Sequence, residues 1–231
     1  MKTNPFNMKS ALALVVKACE PNSPSAAANW VKFNDGNLAA YGGTFCVQIP
    51  VSVDAECAFD PQPLIAFFRK DRTKTSYTVK DGRMLVKSKG ERVTVKCLPG
   101  EEMPLIDVHR SPTEVKKFLP KKAIKAAIHC IDPGNPRSFF QGMCIRNGEA
   151  IATDGKILLV VTTNLDKSIS CVVPIETLKF LSSVDEDVCA VACDTVGIKF
   201  WFPSGMTVCS RTILADKYPD CQHLVSIEGM Q

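Results

Sequence analysis

The chain aligns with itself. Residue n matches residue n+112 without a gap from residue 9 to residue 43. Lys9 meets Lys121, Leu12 meets Ile124, Glu20 meets Asp132, Pro21 meets Pro133, Gly36 meets Gly148 and Gly43 meets Gly155. Farther on the register slips by one to three residues: Pro61 and Phe67 match Pro174 and Phe180, and Gly82, Gly90 and Pro104 match Gly197, Gly205 and Pro219. Self-similarity of this length means two copies of one element order. The 231 residues suffice for two domains of ordinary size. The turn-prone Ser111-Pro112-Thr113 sets the boundary, giving copies 1–112 and 113–231.

Each copy is predicted to be strand-rich with two helices. Leu12, Val15, Val16 and Cys19 recur at i, i+3, i+4 and i+7, the stripe of an amphipathic helix over residues 7–18. Ile124, Ala127, Ile128 and Ile131 repeat that stripe over 120–131. Both helices stop before a proline, at Glu20-Pro21 and Asp132-Pro133, because proline disfavours helix in its predecessor. Second helices are expected at 61–72 and 174–183, each opening on a proline. Strands are expected at 76–79, 84–87, 92–97, 149–152, 157–162, 198–202 and 207–211, with turns at Asp81-Gly82, Lys89-Gly90 and Ser204-Gly205. The fold class is therefore α+β: antiparallel strands with two helices per copy.

Net charge is only +4, but it is unevenly placed. The first helix carries Lys9 and Lys17 and no acid, the segment 61–74 carries Arg69, Lys70, Arg72 and Lys74 against Asp71, and the third helix carries Lys121, Lys122 and Lys125 and no acid. The four helices sum to +8, which leaves −4 for the rest. Basic helices on an acidic body point one face at a polyanion. Lys122, Lys125 and His129 lie opposite the apolar stripe. Such lysine heads suit phosphate contact without sequence readout. A merely solvated helix face is the competing reading.

The rest of the composition narrows the chemistry. Hydrophobic residues make up 45% and charged residues 23%, as in globular proteins. No apolar run is long enough to span a bilayer. The stretch Ala11–Ala18 reads as a mature helix rather than a leader, so a cytoplasmic chain without a membrane role is expected. Eleven cysteines lie mostly inside apolar runs and form no C-x-x-C pair, which marks them as buried reduced thiols; Cys189 and Cys193 alone keep a redox option. Asp185-Glu186-Asp187 reads as an exposed acidic turn rather than a metal cluster. Nucleotide loops, hydrolase elbows and zinc motifs are absent from the sequence, so no catalytic residue, metal or cofactor is assigned.

Two further segments carry a resemblance. Gly148 to Leu158, with Ala152-Thr153-Asp154-Gly155 at its centre, resembles the strand-turn segment of the bacterial β sliding clamp. Ile213 to Asp220, ending in Tyr218-Pro219-Asp220, resembles the end of a clamp domain, with Glu101 to Pro104 as its first-copy counterpart. With the tandem repeat and basic helices, the resemblance covers nearly the whole chain. It implies a DNA polymerase processivity factor, not an enzyme: a ring of six pseudo-equivalent domains with helices lining the hole and sheets outside. Two domains per chain then imply a head-to-tail trimer, with about +24 of helix charge around duplex DNA. It also implies partners, namely double-stranded DNA, a DNA polymerase and a clamp loader. A partner-peptide pocket would be built from Thr153, Gly155, Ile157, Leu158 and Pro219. Departures are Lys156-Ile157 in place of the usual His-Arg, a polar tail 228–231, and the missing third domain. A phage origin is compatible with two domains carrying bacterial-type motifs. The alternatives are a monomeric clamp-like interaction protein that competes for replisome partners, and a nucleic-acid-binding module without a ring.

Overall fold

The structure is a computed structural model that describes residues 6–20, 26–70, 72, 74–98, 106, 108, 113–114, 118–213 and 218–221. The expected boundary at Ser111-Pro112, the Glu101–Pro104 segment, residues 214–217 and the tail 228–231 lie outside them, as do Pro21 and Pro24. The chain divides into two compact units: residues 1–107 with 199–209, and residues 108–198 with 210–231.

In the first unit, α1 (Met8–Val15) begins at Asn7, whose side-chain oxygen accepts from the Ser10 amide at 2.8 Å. It buries Ala11, Leu12 and Val15 and tightens into a 3₁₀ turn over Val16–Ala18. Val16 and Cys19 are only half-buried, and Ala11 and Ala18 take the deeper places expected of them. Strands β1 (Val31–Asn34), β2 (Asn37–Tyr41), β3 (Phe45–Pro50) and β4 (Cys57–Phe59) follow, then α2 (Gln62–Phe67) and β5 (Ser76–Lys80), β6 (Arg83–Ser88) and β7 (Glu91–Leu98). All pair antiparallel in the order β5-β6-β7-β4-β1-β2-β3.

Helix α2 is shorter than the expected 61–72. The Asp60 carboxylate accepts from the Gln62 amide at 2.9 Å to start it, and it ends at Phe67. The core joins Leu12 and Leu64 from the helices to Phe33, Leu38, Ile49, Phe59 and Met84 from the strands. Phe33 tilts against Phe59 at 5.0 Å and meets Tyr77 edge-on at 5.9 Å. Gly42 marks a close approach, since a Cβ there would sit 2.0 Å from the Ala18 carbonyl oxygen.

The same element order follows over residues 113–211, of which 199–209 belong to the first unit. After β8 (Thr113–Glu114) come α3 (Lys121–His129), β9 (Gly142–Arg146), β10 (Glu149–Thr153), β11 (Leu158–Thr162), β12 (Cys171–Pro174), α4 (Ile175–Ser183), β13 (Ala190–Cys193), β14 (Gly197–Trp201) and β15 (Thr207–Arg211). One sheet runs β11-β10-β9-β12, and a second ladder runs β15-β14-β13-β8. Helices α3 and α4 pack together, α3 against β9, β10 and β11, and α4 against β12. Thr177 on α4 and Ser210 on β15 share a buried hydroxyl–hydroxyl bond of 2.7 Å. The fold is α+β, two tandem copies of one element order.

Candidate nucleic-acid interface and partner pocket

The expected phosphate-binding cations fall into two groups. On α3, Ile124 and Ala127 are buried while Lys122, Lys125 and His129 are exposed, so the charged stripe lies opposite the core. Lys9 and Lys17 are likewise exposed, on α1 and the turn that continues it. Arg69 and Lys74 are exposed in the segment after α2.

The other group is engaged in holding the fold. The Arg72 side chain is 8% exposed. Its Nε donates to the Phe67 carbonyl at 2.7 Å, its guanidinium lies 4.0 Å over the Phe67 ring, and it pairs with Glu91. Arg72 thus ties the end of α2 to the β6–β7 turn. Lys70 Nζ stands 3.7 Å from the same Glu91, whose carboxyl Arg72 and then Lys70 hold below the usual carboxylate range. Lys121 is half-buried, with Nζ 3.7 Å from Asp185. The acidic turn at 185–187 therefore offsets a cation at the N-terminus of α3, where the helix dipole disfavours one.

Of the expected pocket residues, Leu158 packs against an apolar cluster in the second unit. Cys144, Ile151, Val172, Tyr218 and Cys221 are buried there, and Phe139, Leu158, Val160 and Ile213 pack against them half-buried. The sheet register explains this row: Val160 faces Ile151, Ile151 faces Cys144, and Cys144 faces Val172. Thr153 is buried, and its hydroxyl accepts from the Gly155 amide at 3.0 Å. Asp154 accepts from the Lys156 and Ile157 amides, both at 2.8 Å, and these bonds depress its carboxyl pKa, Ile157's the most. Gly155 has φ +91, a backbone that favours glycine, so 154–157 forms a compact four-residue loop between β10 and β11.

Thr153 lies two residues beyond Ile151 on β10 and Pro219 directly follows Tyr218, so both adjoin cluster residues along the chain. Ile157, 55% exposed, does not pack into it.

Residues that sequence reasoning missed complete the arrangement. Phe139 and Phe140 tilt against each other at 4.6 Å, and each meets Tyr218 at 6.2 Å. Burial pushes the Tyr218 phenol well above its ordinary pKa, and its hydroxyl donates to the Ile151 carbonyl at 3.2 Å. Arg146 donates to the Tyr218 and Pro219 carbonyls at 3.3 and 3.0 Å and stands 3.6 Å from Asp220. Tyr218 was marked in the sequence by its resemblance to a clamp-domain end, whereas for Phe139, Phe140 and Arg146 the Phe139-Phe140 doublet was the available signal. Among the described residues, no three His, Cys, Asp or Glu side chains gather to hold a metal, and no helix is long and apolar enough to cross a membrane.

Solved structures match this arrangement of elements. The Helicobacter pylori β clamp, bound to a DNA ligase peptide, superposes with a TM-score of 0.78 at 16% identity, over 96% of this chain and 68% of that one. The Bacillus subtilis DNA polymerase sliding clamp gives 0.78 at 14%, over 96% and 66%. The DNA polymerase III β subunit of Pseudomonas aeruginosa gives 0.73 at 17%, over 96% and 67%. This chain has the sliding-clamp fold. It spans about two thirds of the length of the clamps it matches. No protein-family model matches it, and no curated protein sequence does. At identities this low the likeness to the clamps is one of fold.

Proposed function

We propose that the chain is a DNA polymerase processivity factor: a sliding clamp, without enzymatic activity of its own, that encircles duplex DNA. Its clamp domains are residues 1–112 and 113–231, and three chains close head to tail into a six-domain ring. The observation that carries this reading is the clamp fold over 96% of the chain, built as two copies of one element order. The exposed cations of α1 and α3, at Lys9, Lys17, Lys122 and Lys125, supply sequence-independent phosphate contact. Strand β11 supports the assembly: it ends its sheet, and Leu158, Leu159, Val160 and Val161 are half-buried. An apolar edge strand of this kind is a template for a partner strand. Lys70, Arg72 and Lys121 are left out of the DNA-contacting set, because each is paired with an acid within the fold.

The cluster around Tyr218 is the proposed pocket for a polymerase or clamp-loader peptide. Half-buried Phe139, Leu158 and Val160 offer apolar surface, and Thr153, Gly155 and Pro219 frame it. The Helicobacter pylori β clamp of the same fold was solved bound to a DNA ligase peptide. Leu158→Asp should abolish binding of a short apolar peptide from the cognate polymerase, read by fluorescence anisotropy, while Ile157→Asp should weaken it little. Equal losses from both substitutions would refute this placement.

The experiment for the whole reading is retention on DNA. After loading, the protein should stay on closed circular duplex and run off once the circle is cut. Equal retention on both forms would favour a groove binder without a ring. A strict monomer would favour a clamp-like competitor for replisome partners.

A further inference from the structure

Sheet β5-β6-β7 has one face in the core and one in solvent. Met84, Val86, Val95 and Cys97 point inward and are buried. By strand alternation the open face carries Ser76, Thr78 and Lys80 from β5, Arg83, Leu85 and Lys87 from β6, and Arg92, Thr94 and Lys96 from β7. All are exposed except half-buried Leu85. Five are cations and none is an acid, on a chain whose entire net charge is +4.

The register sets these cations against one another. Lys80 is the ladder partner of Arg83, Arg83 of Lys96, and Lys87 of Arg92. Like charges directly opposite on a sheet are destabilising. None of the five has an ion-pair partner among the described residues. The nearby acid Glu91 is held by Arg72 and Lys70, and Asp81 sits in the β5–β6 turn. The fold itself does not demand the rows: the matching hairpin β14–β15 has Lys199, Trp201, Thr207 and Arg211 on its more exposed face, only two of them cations.

We propose that this open face of β5, β6 and β7 binds the phosphate backbone of duplex DNA, as a second DNA contact separate from the helices α1 and α3. The two cation rows stand about 13 Å apart, four residues along a strand. A duplex presents about eight phosphate charges over that length, enough to engage all five cations. The hydroxyls of Thr78 and Thr94 between the rows, and of Ser76 in line with Lys87 and Arg92, are further phosphate donors. The face has no aromatic side chain, since Tyr77 turns inward against Phe33. Single-strand binders stack bases on aromatics, and protein interfaces anchor on them, so duplex backbone is the polyanion this chemistry fits. At one end a cleft of about 740 Å³ extends the row Ser76, Lys87 and Arg92 with Lys74 and Lys89, beside Glu91.

The test uses the full chain and a short, open-ended, fluorescently labelled duplex of random sequence, titrated at several salt concentrations. Replacing Arg83, Lys87 and Arg92 with Ser should weaken binding at least tenfold at low salt. It should also flatten the log–log salt slope by about 2 to 3, near 0.9 per lost cation. The milder Lys87→Gln/Lys96→Gln pair should flatten it by nearly 2, which keeps the test valid if the triple variant fails to fold. Wild-type affinity and slope in the milder pair would overturn the proposal, as would a single strand or an acidic peptide competing as well as duplex. A Lys122→Ala/Lys125→Ala variant that alone loses short-duplex binding would overturn it and leave the clamp reading intact. Loss of retention on circular DNA with the face contact unchanged would do the reverse.

Discussion

Two arginines act on backbone as much as on acids. Arg146 fastens Tyr218 and Pro219 over the apolar cluster, and Arg72 fastens the end of α2. A charge-assisted bond of this kind contributes about 1.5–3 kcal/mol. Arg146→Ala should therefore lower stability by about that amount, read as a fall in urea midpoint, and should weaken peptide capture by freeing the Tyr218 segment. An unchanged midpoint would contradict that role. Sequence alone counted Arg72 among the free cations, because its partner Glu91 lies 19 residues away across a turn that only the fold closes. The cysteines were legible as small hydrophobes from their apolar neighbours, and all but Cys19 and Cys189 are buried. Burial, and for Cys57 also its neighbour Cys97, pushes the thiols of Cys57 and Cys144 from 9.0 up to about 12. In the unfolded chain they ionise near the ordinary value, so between about 9 and 12 the native state holds more protons. Thermal stability should be level from about pH 6 to about pH 8.5 and fall progressively above it. A melting temperature flat to pH 11 would contradict this.

At the level of elements, alternation decided what could be read. Strand β6 alternates exposed and buried residues, and β5 and β7 flank it across two-residue turns, so that hairpin region was foreseen. Strands β4, β12 and β13 are buried on both faces, and β2, β3 and β9 nearly so, and they carry no clear period-two signal; β1 alternates Val31, Lys32, Phe33 and Asn34 although Lys32 is buried too. The Asp35-Gly36 and Asn147-Gly148 turns, with positive φ at both residues, were the available clue to β1–β2 and β9–β10. Helices α1 and α3 were legible by their stripes, and their ends were not, since 3₁₀ tightening and capping depend on local hydrogen bonds. Strand β11 carries the assembly prediction. Val161→Lys puts a charge on the apolar edge and should convert the trimer to monomer, measured by analytical ultracentrifugation, without loss of helical and strand circular dichroism. A variant that stays trimeric would remove β11 from the interface.

Across the whole molecule, duplication explains why so short a chain can carry a clamp architecture. Each copy supplies two helices and antiparallel strands, and in the proposed ring three chains would supply six copies. The repeat was visible in the sequence because glycines and prolines at turns and helix ends held register over long stretches. The cationic sheet face was not, because strand register, rather than composition, lines up Lys80, Arg83, Lys87, Arg92 and Lys96. The central claim is ring closure. Light scattering over a wide range of protein concentration tests it most directly: the account predicts a stable mass three times the 25.2 kDa chain, and a single-chain mass at every concentration would contradict it.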